Sequence, residues 1–253
     1  MKIGSAREIK MFNGCYTFLA LIGACVWIWS TYSHHRGASL LDDGKKMMQA
    51  GDRASVQKAI QDFTDAAATF KGKEEEKVNS GICDYDLGLA YKILGEDQKA
   101  LDSFTEAIPD LQGDSDQAEH IKTCNENIGG IHFDRGQDDS KAGNLSEAFT
   151  EYQLAIPAYQ AAGDTENVTI ATNNSGNETY NQGRALARKH DWKGAIDMFS
   201  RAQKAYHTGG KKAYEADCLQ YLAVAYDATG DSTKAADARA QEQTLRGSIK
   251  GKS

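Results

Sequence analysis

The chain has 253 residues, only two of them proline, and 26% are charged, which favours a helical body in contact with water. Its formal net charge is −7 at pH 7. An acidic surface repels phosphate backbones, so the composition argues against a nucleic-acid-binding protein. The length is enough for one large domain or a short repeat array.

The N-terminal segment differs from this polar body. A basic region over residues 1–10 contains Lys2, Arg7 and Lys10, and an uncharged run over residues 11–32 follows it. As a helix this run would be about 33 Å long, enough to span a hydrocarbon core of about 30 Å. We therefore expect a transmembrane anchor or signal segment over 11–32. The cations before it predict a cytoplasmic N-terminus, with the rest of the chain in a bacterial periplasm or at a cell surface.

Two other interpretations of the same segment stay open. One is a cleaved signal peptide, although the run is long and ends in no clear Ala-x-Ala site. The other is a lipoprotein modified at Cys25, because Ile22-Gly23-Ala24-Cys25 resembles a lipobox. Against it, Val26 to Trp29 continue the apolar run beyond the cysteine. A polar connector over residues 33–39 would then lead into the main body.

A repeated small–aromatic pattern runs through residues 40–247. It is clearest around Gly88, where Tyr91 follows on the same helix face, Gly95 marks a turn, and Ala100 and Phe104 share one face of a second helix. Small residues are needed where two backbones approach, and rings fill the gaps beside them. The spacing therefore predicts two helices folded back to back.

This pattern resembles the tetratricopeptide repeat (TPR). The alanines that open the second helices recur every 40 to 48 residues, at Ala59, Ala100, Ala148, Ala195 and Ala235. That period resembles the long-helix variety of TPR. The resemblance implies an all-α, right-handed superhelix of about five hairpins over 40–247, with a polar tail over 248–253. HEAT repeats share the period and are the alternative.

Three details of the register follow from the same pattern. We expect Gly129 to be the small residue of the third hairpin, with a seven-residue insertion around residues 136–139. The last helix should be polar. Pro109 and Pro157 occupy the same repeat position, and we expect both second helices to bend or end there.

Three cysteines of the main body occupy equivalent positions in their repeats. Cys83, Cys124 and Cys218 each precede the small residue of their repeat by five positions. Equivalent slots on neighbouring repeats lie at least about 8–10 Å apart, too far for a disulfide, so we expect buried free thiols.

The sequence contains no phosphate loop, nucleophile elbow or zinc motif. We expect no catalytic residues, no cofactor and no metal site.

The resemblance to TPR also implies a binding surface. Exposed slots of the first helices line the concave face of TPR proteins, where a peptide binds. The candidate peptide-binding residues are Tyr85, Leu89, Lys92, Asn127, Phe133, Tyr180, Asn181, Arg184 and Arg188.

The function that these observations favour is a membrane-anchored scaffold or adaptor for a protein or peptide partner. One alternative is a regulatory or sensor module for a small ligand, which would require a closed, aromatic-lined pocket. Another is an unrecognised enzyme, which would require converging polar groups with shifted pKa values.

Overall fold

The computed structural model describes the backbone of residues 6–250 and the side chains of residues 27–250. Within these residues the chain forms ten α-helices and two short 3₁₀ turns, and no strand. The helices are α1 (Ala6–Ala50), α2 (Arg53–Phe70), α3 (Lys77–Leu94), α4 (Asp97–Leu111), α5 (Ala118–Ala142), α6 (Leu145–Ala162), α7 (Thr165–Arg188), α8 (Trp192–Thr208), α9 (Lys212–Ala228) and α10 (Ser232–Lys250).

The helices belong to two compact units. Unit 1 covers residues 1–120 and unit 2 covers residues 121–253. In unit 1, α2 packs against α1 and α3, and α3 packs against α4. In unit 2, α7 packs against α6 and α8, and α9 packs against α8 and α10. The predicted all-α helical repeat fold is confirmed.

Each of the first four hairpins closes where a glycine of its first helix meets a ring of its second. A Cβ atom built on Gly88 would lie 2.5 Å from the Phe104 ring, and one on Gly183 would lie 2.9 Å from Phe199. Real Cβ atoms do not approach so closely, so only glycine admits these rings. The predicted registers of the second and fourth hairpins are confirmed.

The third hairpin differs from its expected register. Helix α5 runs without a break through residues 136–139, so the expected insertion is wrong. A Cβ atom on Gly136 would lie 2.9 Å from the Tyr152 ring, and one on Gly129 would lie 2.8 Å from Tyr159. Gly136 is therefore the counterpart of Gly88, and Gly129 lies two helical turns before it.

A second glycine, seven residues before the first, is a general feature of these hairpins. Two helical turns return a residue to the same face, so both glycines contact the second helix. The pairs are Gly37 and Gly44, Gly81 and Gly88, Gly129 and Gly136, and Gly176 and Gly183. In the third hairpin the sequence pattern indicated Gly129, the earlier glycine of the pair, whereas the counterpart of Gly88 is Gly136.

The turns follow the same register. Gly95 ends α3 in the left-handed region with φ of +75°, and Gly143 lies at the matching place after α5 with φ of +84°. In the fourth hairpin His190 takes this conformation, with φ of +59°, as predicted for a turn residue. Asp191 then caps α8, because its carboxylate accepts from the backbone N–H of Gly194 at 3.0 Å.

The prolines do not end their helices. Helix α4 continues past Pro109 to Leu111, and α6 continues past Pro157 to Ala162. The last helix is polar, as expected, because Ala235 and Ala238 are the residues that it buries.

From Ala6 onward, the N-terminal segment is part of α1. This helix runs without a break through residues 33–39, so the segment expected to be a connector is helical. The basic region over 1–10 and most of the expected anchor over 11–32 lie outside the residues whose side chains are described. Within the described part of the chain, no helix combines the length and the apolar character that a membrane span requires.

Candidate binding surface

The three aromatic candidates occupy one equivalent slot, three residues before the ring-contacting glycine. With Gly136 as the reference in the third hairpin, Phe133 matches Tyr85 and Tyr180. All three are half-buried and contact the ring of their own second helix. The ring-centroid distances are 6.5 Å for Tyr85–Phe104, 5.5 Å for Phe133–Tyr152 and 5.7 Å for Tyr180–Phe199. These rings therefore contribute to packing within the hairpins.

Asn127 does not reach the surface. It is buried, and its side-chain amide donates to the backbone carbonyl of Thr123 at 2.8 Å. The corrected register gives the physical reason, because Asn127 precedes Gly129 and not Gly136. The slot two residues before Gly136 carries Asp134, which is exposed.

In unit 1 the candidates lie along α3. Tyr85 meets the ring of His120 edge-on at 4.5 Å, Leu89 is half-buried, and Lys92 is exposed. Nearby in this unit, a cavity of about 700 Å³ contains Asp84, Glu106 and Asp110. Burial, followed by the neighbouring carboxylates, raises the pKa of Asp84 to about 7. The sequence did not distinguish this carboxylate from the others.

In unit 2 the structure brings several candidates together on α7. The guanidinium of Arg184 lies 5.8 Å from the Tyr180 ring centroid, within cation–π range. Tyr180 also meets Tyr221 of α9 edge-on at 5.6 Å. Burial, followed by the proximity of Tyr221, raises the pKa of Tyr180 to about 12. Asn181 and Arg188 are exposed on the same helix.

Two surface residues were missing from the predicted set. Tyr221 stacks on Phe199 at 4.9 Å and connects α9 to the Tyr180 ring. Val224 is 51% exposed, and it follows Ala223 as Arg184 follows Gly183. The repeat spacing could have identified Val224. We call Tyr180, Arg184, Arg188, Tyr221 and Val224 the α7–α9 surface.

The charges of this surface differ from those around it. Arg201 on α8 pairs with Asp197 at 3.0 Å, and Arg246 on α10 pairs with Asp217 at 2.9 Å. Among the described residues, neither Arg184 nor Arg188 makes an ion pair. The α7–α9 surface therefore presents two cations without carboxylate partners.

The cysteines are buried and form no disulfide in the described part of the chain. Burial raises the pKa of the Cys83, Cys124 and Cys218 thiols to about 12, so they are neutral. Cys124 does not occupy the slot of the other two, because the reference glycine of its hairpin is Gly136. No group of three or more metal-ligating side chains occurs among residues 27–250.

The architecture is decided by the glycines that admit a ring of the second helix in each of the first four hairpins, a spacing that resembles TPR. The chain is an all-α helical repeat protein. No protein-family model matches it, and no curated protein matches it.

Several solved structures are similar to this helical repeat protein. BtubC from P. vanneervenii is 16% identical, with 87% of this chain and 92% of that chain covered and a TM-score of 0.30. MamA from Desulfovibrio magneticus RS-1 is 17% identical, with 84% and 96% covered and a TM-score of 0.34. TPR-like repeats of a kinesin light chain from Podosopora anserina are 14% identical, with 85% and 97% covered and a TM-score of 0.29. The repeat assignment rests on the packing of the chain itself.

Proposed function

We propose that the protein is a scaffold or adaptor that holds an acidic polypeptide segment against the α7–α9 surface. The observation that carries this proposal is the pair of arginines without carboxylate partners, Arg184 and Arg188, beside the Tyr180 ring. Guanidinium groups bind carboxylates in a two-point geometry, which a peptide with Asp or Glu side chains would supply. Tyrosine and arginine are also the residues that most often dominate binding energy at interfaces.

The test is a crosslinking experiment on the full chain at the membrane, with partners identified by mass spectrometry. The variant is the double substitution Arg184→Ala, Arg188→Ala. We expect it to reduce recovery of the true partner by tenfold or more, since each charge-assisted hydrogen bond contributes about 1.5–3 kcal/mol. Tyr180 is left intact because it packs against Phe199.

Arg201→Ala is the matched control. Arg201 is an exposed arginine of unit 2, on α8, and it already pairs with Asp197. We expect it to recover partners as the unsubstituted protein does. Equal recovery from the double variant and from this control would contradict the proposed surface.

We further propose that residues 11–32 tether the protein to a membrane, with the N-terminus in the cytoplasm and the repeats on the opposite side. Three aromatic residues support this proposal, because Trp27, Trp29 and Tyr32 are 70%, 66% and 66% exposed. Such rings favour the boundary between lipid and water. N-terminal sequencing of the membrane-extracted protein tests the tether. An intact N-terminus supports it, whereas a chain beginning at Cys25, or after the apolar run, would replace it with a lipid anchor or a cleaved signal.

A further inference from the structure

A small pocket lies in unit 2 and shares none of its lining residues with the α7–α9 surface. Its volume is about 240 Å³, and it is bounded by the first half of α7, the end of α8 and the start of α9. Asparagine and tyrosine side chains make up most of its wall. The polar lining residues are Asn173, Asn174, Asn177, Tyr206, Lys211 and Tyr214.

Asn173 is an unusual residue for this place. It is 8% exposed, and its Oδ1 atom accepts no hydrogen bond. Its Nδ2 atom donates only a long bond, 3.5 Å, to the carbonyl of Gly209. An unpaired buried acceptor destabilises a fold, whereas a leucine of similar size would not, so such a group calls for an explanation. The Oδ1 atom has less than 1 Å² of exposed surface, so a rotation of the amide, which only the long bond to Gly209 opposes, would bring it to an N–H donor of a ligand.

The outer part of the pocket offers donors instead. The Tyr206 hydroxyl donates to Asn177 Oδ1 at 2.6 Å, which leaves the Asn177 amide N–H groups for another acceptor. Lys211 is exposed and makes no ion pair with a described residue. Tyr214 stacks on Tyr206 at 5.2 Å and is itself 51% exposed. A cation, an amide and a phenol therefore surround the opening.

We propose that this pocket binds a small ligand in which a carboxylate lies next to an N–H donor. The carboxylate would accept from Lys211 and Asn177, and the N–H group would donate to Asn173 Oδ1. The volume suits one amino-acid residue and is smaller than most drug-sized sites. Two sources supply this chemistry, a free α-amino acid and the last residue of a polypeptide. Either adds a ligand-responsive site to the proposed scaffold and does not depend on the α7–α9 surface.

Binding is measured by calorimetry on the full chain in detergent. The probes are each of the common L-amino acids, acetate, ethylamine, and tetra-alanine with a free or an amidated C-terminus. We expect at least one amino acid, or tetra-alanine with a free C-terminus, to bind at least tenfold more tightly than acetate or ethylamine, because each of these two lacks half of the required groups. Binding of free tetra-alanine but not of its amide identifies a chain terminus. Binding of amino acids alone identifies a free metabolite.

Three variants locate the site. Lys211→Gln should weaken binding about tenfold, since it removes a charge-assisted hydrogen bond. Lys212→Gln is its control, because Lys212 is also exposed but does not line the pocket. Asn173→Leu should abolish binding without lowering the melting temperature, because it removes the unpaired acceptor.

Three results would overturn the proposal. Acetate could bind as tightly as every amino acid and as free tetra-alanine, which would mean that Asn173 is not used. Lys211→Gln and Lys212→Gln could weaken binding equally. All probes could fail to bind, in which case an ordered water alone satisfies Asn173.

Discussion

Helices α3 and α7 occupy the same place in their hairpins, but one buried slot differs in chemistry between them. Five residues before the ring-contacting glycine, α3 carries Cys83, which is fully buried and packs with Ala66 and Phe70. The same slot of α7 carries Glu178, which is 4% exposed. The slot holds Ile131 in α5 and Cys218 in α9, so the carboxylate is the exception.

Polar groups from other helices surround the buried face of α7. Glu178 Oε1 accepts from the Ser140 hydroxyl at 2.7 Å, and the Ser175 hydroxyl accepts from Gln153 Nε2 at 2.8 Å. Glu178 Oε2 finds no partner among the described residues. The hairpin backbone therefore accepts either an apolar or a carboxylate side chain in this slot. An apolar side chain is stabilised there by close packing alone, whereas a polar side chain also requires a hydrogen-bond partner for each of its polar atoms.

The largest effect is expected when a carboxylate is placed in the apolar slot of α3. Cys83→Glu should lower the free energy of unfolding by about 3–5 kcal/mol, because the carboxylate would be buried among apolar side chains that include Ala66 and Phe70. Urea unfolding measures the change. Cys83→Ile is the control, since Ile131 already fills this slot in α5, and it should cost much less. A Cys83→Glu protein as stable as this control would show that the slot tolerates charge.

The next effect concerns the glycine that both kinds of hairpin share. Gly88→Leu should cost about 3 kcal/mol, because a Cβ atom there already falls 2.5 Å from the Phe104 ring. Thermal unfolding checks this. Gly247→Leu on α10 is the control, because nothing lies within 4 Å of a Cβ atom there. The register would be wrong if both variants melted at the same temperature.

A smaller, pH-dependent effect is expected at Asp84 in unit 1. Its pKa is raised from 3.8 to about 7, so the folded protein holds the proton more strongly than the unfolded chain. The stability that this carboxyl contributes is therefore complete below about pH 4 and is lost as the pH rises to about 7.

The Asp84→Asn variant removes this loss. After allowance for partial exposure, it should gain about 1–2 kcal/mol at about pH 8 and much less at about pH 5. Urea unfolding at both pH values measures the difference. Asp237→Asn, at an exposed position of α10, is the control for the loss of one negative charge. A gain that is equal at both pH values would contradict the raised pKa.

The smallest effect is expected from the reverse change, which places an apolar residue in the carboxylate slot of α7. Glu178→Ile replaces the half-paired carboxylate with the residue found in the same slot of α5. Replacing buried ionic groups with apolar ones is often neutral or favourable, and we expect a gain of about 1 kcal/mol. Ser140→Ala is the companion variant, because it leaves Glu178 without its donor and should destabilise. A marked loss of stability in Glu178→Ile would mean that the carboxylate supports the fold.

Sequence periodicity alone determined much of this protein. Helix type and turn position depend on neighbours within a few residues, so the hairpins around Gly88 and Gly183, the turn at His190 and the polar α10 could be predicted from spacing. The tertiary structure decided the rest. Two glycines seven residues apart fit the same pattern, and only the ring facing each one shows which is Gly88's counterpart in α5.

The candidate site shows the same division. Arg184 and Arg188 could be placed on α7 from their slots, and the structure leaves Arg184 half-buried and Arg188 exposed. Tyr180 proved to be a packing residue, because its contacts come from α8 and α9. The raised pKa of Asp84 and the unpaired Oδ1 atom of Asn173 could not be predicted from the sequence either. A pKa depends on burial and on charges brought together by folding, and a hydrogen bond depends on atoms far apart in the chain. Spacing along one helix contains neither.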